Sequence, residues 1–244
     1  MSFEPFSNFE ETHAHEENLR TESMQLARND KEIERRLLVV EKAMALIFGF
    51  TVDHNAVNDD ERTMQMLGVR LFNAAASAIK LGLSGYYQTA LQQARDILEL
   101  GFLLDYFRTS PEEIAIWRTW DRKTRRLRFD PVKIRIALDE RDGTTDRGRE
   151  REYNKLSELA SHATYRGFAL TTREGRGELG PFVDKRNLLA LAHEMVLRLG
   201  PAAVMYANQF SRPPEALAQF LREFGTELVM GFKNDESPSS EALD

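Results

Sequence analysis

Residues 84–107, Ser84-Gly-Tyr-Tyr-Gln-Thr-Ala-Leu-Gln-Gln-Ala-Arg-Asp-Ile-Leu-Glu-Leu-Gly-Phe-Leu-Leu-Asp-Tyr-Phe107, decide the fold class. Tyr87, Ala90, Leu91, Ala94, Leu98, Gly101 and Leu104 recur at the spacing of one helical face. The run is far longer than a typical strand of about 5–6 residues. It reads as a long helix whose apolar face must be buried against other helices. Ser84 reads as its N-cap, and Gly101 lets a neighbouring helix approach closely.

Working outward, the same grammar repeats. Upstream, a helix over about Asp60 to Leu81 ends near Gly82, a residue suited to the C′ position. Downstream, Ser110-Pro111-Glu112-Glu113 offers a serine N-cap, a proline at the first helical position and a glutamate placed for a capping box. Asp130-Pro131 opens another helix in the same way, and Gly143 closes it. Thr144 to Gly148 is a polar loop, and Arg149 to Thr164 returns to helix. The segment 167–182 holds Phe168, Leu170, Gly175, Gly177, Gly180 and Pro181, and predicts an irregular loop or short β-hairpin. Helix resumes near Asp184 and runs to about Phe210 with a kink at Pro201. Pro213-Pro214 then opens a last helix to about Met230.

At the other end, Leu37, Val40, Met44 and Ile47 form a helical stripe within Phe9–Phe50. The first half of that segment is too polar to bury a whole face. It predicts a projecting helix or an arm that folds on a partner. Asp53 to Asn58 is a loop. The expected architecture is all-α: an antiparallel bundle of about seven or eight helices with one irregular loop or short hairpin near 167–182. Residues 1–58 form an acidic helical arm, 59–232 the bundle, and 233–244 a disordered acidic tail.

Composition narrows the chemistry. The 244 residues include no cysteine, which excludes disulfides and thiolate catalysis or ligation. Net charge is −6, which gives no general affinity for nucleic acid. The charge is uneven: Met1 to Glu32 holds eight acids and three bases, whereas Arg118 to Arg128 holds six bases and one acid. The first residues have no basic region or apolar run of a secretory signal. No apolar stretch approaches the roughly 20 residues of a membrane span. A cytoplasmic protein without membrane association is expected.

Five elements carry a resemblance. They are Gly85-Tyr86-Tyr87 with Ala90; Arg95 and Glu99 one turn apart; Ser110-Pro111-Glu112 with Trp117; Tyr153-Asn154-Lys155-Leu156-Ser157; and His162 five residues on. Over about a third of the chain this resembles a group of bacterial all-helical proteins that have been compared with the HEPN superfamily, which includes ribonucleases of toxin–antitoxin and defence systems. The resemblance implies a helical bundle, homodimerisation and a place in bacterial defence or stress response. The HEPN signature, an Arg four to six residues before a His on one helix, is missing. The nearest upstream arginine, Arg151, is too distant, and Arg166 follows His162. The resemblance therefore implies fold more than nuclease activity.

Two constellations could carry function. Arg95 and Glu99 share one helical face, Tyr153 and Ser157 another, with His162 beside the second. If the helices pack, His162 would serve as acid–base group, Arg95 as phosphate ligand and Glu99 as orienting carboxylate in metal-independent RNA cleavage. The alternative is a buried polar network that fixes helix register. The second constellation is the basic segment: Arg118, Arg122, Lys123, Arg125 and Arg126. Arg118, Arg122 and Arg125 fall on one helical face, able to neutralise phosphates or to meet the acidic arm. Trp117 and Trp120 align with Ile114 and Ile116 and read as core.

Weaker motifs fail on context. Gly175-Arg-Gly177-Glu-Leu-Gly180 matches a dinucleotide fingerprint in letters, but Pro181 follows and no βαβ unit surrounds it. His193-Glu194 begins like a zincin, with Leu197 where the second histidine belongs. His13 and His15, two apart, point to opposite sides of a helix. No cofactor or metal is expected. A binding or scaffold role, with a homo-oligomer or protein partner, is preferred, ahead of an RNA-acting protein and a small-molecule sensor.

Overall fold

A computed structural model describes residues 8–235. Ten α-helices lie among the described residues: α1 (Phe9–Asn29), α2 (Lys31–Phe48), α3 (Asp59–Leu83), α4 (Tyr87–Thr109), α5 (Glu112–Arg118), α6 (Arg122–Arg128), α7 (Pro131–Asp142), α8 (Gly148–Leu156), α9 (Lys185–Ala207) and α10 (Glu215–Asp235). The only sheet among them is the hairpin β1 (Thr172–Arg173) and β2 (Arg176–Gly177), paired antiparallel. The chain is an all-α bundle with one short hairpin, as its periodicities require. The helix count exceeds eight because two expected helices are each split. Asp30 breaks the first, its carboxylate accepting from the amides of Glu32 and Ile33 to start α2. Thr119–Asp121 separates α5 from α6.

The frame is α4, which packs along both α3 and α9 and also meets α7 and α8; α2 lies on α9 and α3. Ala90, Ala94, Ile97 and Leu104 of α4 are fully buried, as are Ile33, Ala43, Leu46 and Ile47 of α2. The second half of the segment 1–58 thus contributes a core helix. In α1 the buried residues are only Ser23 and Ala27, in keeping with its polar composition. Two helices, α3 and α9, are long and apolar enough to cross a membrane by length and composition alone. Both are packed into the bundle against α4. The terminal tail predicted at 233–244 lies almost wholly outside the described residues.

Capping follows the sequence at Asp130, which accepts from the Val132 amide, at Gly143 with left-handed φ of 64°, and at Asp184, which accepts from the Asn187 amide. Two caps differ. Ser84 ends α3 rather than starting α4, because the chain turns sharply at Gly85 (φ 88°), where an added Cβ would lie 2.5–2.9 Å from the Phe182 backbone. Ser110 makes no side-chain cap, and α5 begins after Pro111. Helix α9 runs unbroken through Pro201.

Two π-turns, at 49–53 and 157–161, follow α2 and α8. Each closes with an i→i+5 bond, from the His54 amide to the Gly49 carbonyl and from the His162 amide to the Ser157 carbonyl. A π-turn widens the helix and shifts the residues after it off the preceding face.

Candidate functional site

Helices α4 and α8 do bring part of the predicted cluster together. The Arg95 Nε donates to Ser157 Oγ at 2.9 Å, and one terminal nitrogen donates to the Tyr153 hydroxyl. Another contact pairs Arg95 with Glu99 at 3.0 Å, the expected i,i+4 partner. Gln92, on the same face, donates to the Ala160 carbonyl at 2.8 Å. Arg95 therefore locks α4 to α8 and its π-turn, and its donors are directed at groups of the chain itself.

His162 is not part of this cluster. Its side chain is exposed, and it makes no hydrogen bond or ion pair with Arg95, Glu99, Tyr153 or Ser157. The physical reason is the π-turn: α8 ends at Leu156, and His162 takes up an extended backbone (φ −102°, ψ 146°) instead of continuing the face of Tyr153 and Ser157.

A residue that sequence reasoning missed joins the cluster from α7. The Arg135 guanidinium lies 4.0 Å from the Tyr153 ring centroid, and Arg95 lies 4.6 Å from it. Arg135 is buried, and one of its terminal nitrogens has no hydrogen-bond partner. The aromatic face offsets part of the desolvation of two cations. The available signal was an arginine next to Ile134 and one turn from Leu138, the two apolar residues that α7 buries with it.

The basic segment is divided and partly neutralised. Because α5 ends at Arg118, the expected common face of Arg118, Arg122 and Arg125 spans a helix break. Arg118 pairs with Asp60 at 2.7 Å and donates to Thr63 Oγ1 at 3.0 Å. Arg128 pairs with Glu113. Lys123 and Arg126 are exposed, and the side chains of Arg122 and Arg125 lie outside the described ones. Arg126 edges a cavity of about 410 Å³ shared with Arg70, Asp96, Glu99, Trp117 and Phe129. Trp120 stacks on Phe129 with centroids 3.7 Å apart, so it packs on the core.

A strongly perturbed carboxylate that is also buried lies elsewhere. Glu61, at the start of α3, is buried and accepts four hydrogen bonds: from His54 Nε2 (3.0 Å), the Val57 amide (2.9 Å), the Ser211 amide (2.8 Å) and Ser211 Oγ (2.7 Å). Burial alone would raise its pKa, but the hydrogen bonds from Ser211 and His54 and the backbone outweigh it and hold Glu61 at about 2. His54 is itself enclosed by Phe50 and Phe210. This pair ties the first π-turn, the start of α3 and the segment after α9 together.

A second buried carboxylate, Glu194 of α9, receives Arg198 (2.9 Å) and Lys155 (3.2 Å), and Arg198 also reaches Glu152. Burial raises its pKa, and the two cations reverse that, leaving it below the usual carboxylate range. His193 meets Arg36 at 3.0 Å, so the His193-Glu194 pair serves helix packing on two sides. Among the described residues no group of three or more His, Asp or Glu side chains could hold a metal ion. Gly175 and Gly177 belong to the hairpin, with no helix opening at them.

No family model, curated protein or solved structure matches the chain.

Proposed function

We propose that this chain is a helical binding protein that associates with a second copy of itself and presents its outer helices to partners. The observation that carries the reading is the state of the Arg95 cluster. Its guanidinium is committed to Ser157, Tyr153 and Glu99, and the one histidine near it in sequence stands apart, so the cluster fixes helix register. A surface feature supports self-association. Met66, Val69 and Phe72 follow at intervals of three along α3, Phe72 meets Phe48 of α2 at 6.2 Å, and Val52 lies one turn beyond Phe48. Met66 is 70% exposed and Val52 60%. Exposed apolar side chains grouped on neighbouring helices in this way mark a candidate interface.

A second reading, an RNA-binding HEPN-like protein, is supported by the exposed Lys123 and Arg126 and by the sequence resemblance. One experiment separates them: size-exclusion chromatography with light scattering, with absorbance at 260 and 280 nm, before and after ribonuclease treatment. The expected result is a discrete homo-oligomer free of nucleic acid. A monomer that carries ribonuclease-sensitive material would overturn the first reading in favour of the second, and His162→Ala cleavage assays would then follow.

A further inference from the structure

The segment between the second π-turn and α9 folds into a cleft of about 650 Å³, a volume suited to a small organic ligand. Its floor is Leu159 and Leu170, both buried. Its aromatic edge is Tyr165 and Phe168, with centroids 6.1 Å apart in a T-shaped arrangement. Tyr165 is 91% exposed and Phe168 54%. Its charged groups are Arg166 and Arg186; no acidic residue lines it, in a chain of net charge −6. Thr171 and Asn187 add a hydroxyl and a carboxamide.

The walls are built before any ligand arrives. Gly167 sits so tightly on the π-turn that an added Cβ would lie 2.9 Å from the Leu159 carbonyl oxygen. Its amide donates to Thr164 Oγ1 at 3.1 Å, and that hydroxyl donates to the Glu158 carbonyl at 2.6 Å. Thr172 Oγ1 donates to the Phe168 carbonyl at 2.6 Å, which fixes the start of the hairpin under the aromatic pair. The nearby Glu174 and Glu178 line a separate cleft with Arg173 and Arg176.

We propose that this cleft is a binding site for a small organic anion with a flat apolar body, the body lying against Tyr165 and Phe168 and the anionic group taken by Arg166 and Arg186. Aromatic faces and leucines reward a planar hydrocarbon, and guanidinium groups reward a carboxylate or phosphate oxygen. Both arginines also make contacts within the chain, Arg166 with Glu158 at 3.7 Å, and the ligand shares them rather than finding them idle. A long, half-exposed ion pair of that kind contributes little and yields readily to a competing anion.

The test is isothermal titration calorimetry on the full chain with three probes: indole-3-acetate, phenyl phosphate and tryptamine. The expected result is saturable binding of at least one anion, with tryptamine, the same ring bearing a cation, about tenfold weaker or absent. Phenylacetate as a fourth probe, with the same ring as phenyl phosphate, identifies the headgroup as carboxylate or phosphate by which of the two binds more tightly. Tyr165→Ala and Arg186→Ala, both at surface positions, should each weaken that anion by about tenfold with unchanged circular dichroism, while Arg126→Ala at the other cavity should leave it unchanged. The inference is overturned if none of the anions binds, if tryptamine binds as tightly, or if Tyr165→Ala and Arg186→Ala both retain full affinity. None of these outcomes bears on self-association, which is read separately by light scattering.

Discussion

Glu61 is a buried residue through which stability should depend on pH in the acid range. Its folded pKa of about 2 lies below the unfolded value of about 4.5. The carboxylate therefore stabilises the fold above pH about 4.5, and that contribution, of order 3 kcal/mol, is lost as pH falls towards about 2. Urea denaturation of wild type and Glu61→Gln from pH 6 downward should show the two curves converging in that window, because other carboxylates with lowered pKa values, such as Asp105 and Glu194, remain in both proteins. Parallel curves would assign the acid sensitivity elsewhere. Residues of this kind are also where sequence reading stops. Arg95, Glu99, Tyr153 and Ser157 could be grouped because each pair sits one turn apart on its own helix, and only one packing step was needed to join them. Glu61 and Ser211 are separated by 150 positions, and no periodicity connects them. His162 was misplaced for a local reason: a π-turn leaves no mark in the spacing of apolar residues.

Among the elements, α3 carries the tightest approach. Gly68 faces Tyr206 of α9 and Thr51 of the first π-turn, and an added Cβ would lie 2.2 Å from the Tyr206 hydroxyl oxygen and 2.5 Å from Thr51 Oγ1. Those two hydroxyls hydrogen-bond each other at 2.7 Å. Gly68→Ala should therefore lower stability, despite alanine's better helix propensity, by about 2–3 kcal/mol through overpacking and loss of that bond. A thermal melt that rises or stays level would show that α3 can shift away without cost. Element boundaries were legible wherever a single residue decides the cap, through its carboxylate at Asp130 and Asp184 and through its lack of a side chain at Gly143. They were not legible at Ser84 and Ser110, where backbone geometry set by Gly85 and Pro111 overrides a serine that looks suitable. The split between α5 and α6 escaped notice because the bases around it keep a helical spacing across the break.

For the whole molecule, the apolar face of α2 and α3 predicts its assembly. Met66→Glu places a carboxylate on that face without touching the core, since Met66 is exposed. It should convert the proposed oligomer to a monomer in light scattering while leaving helix content intact; an oligomeric mass unchanged by the substitution would move the interface to another surface. The class of the fold was readable at this scale, because seven or eight successive helical segments joined by short loops admit few arrangements. The cleft of Tyr165 and Phe168 was not, since irregular backbone has no period to read.

One helix stands outside this cooperation. α1 buries only Ser23 and Ala27, and its polar ties to the bundle include Tyr86 with Glu16 at 2.7 Å and Lys185 with Asp30 just past its end at 2.7 Å. Deuterium exchange should find its amides opening by local detachment, orders of magnitude sooner than those of α4 and α9, which open only when the whole chain unfolds. The bundle then behaves as a stable body with a hinged outer stave, and any partner that grips α1 sets how often the core surface beneath it meets water.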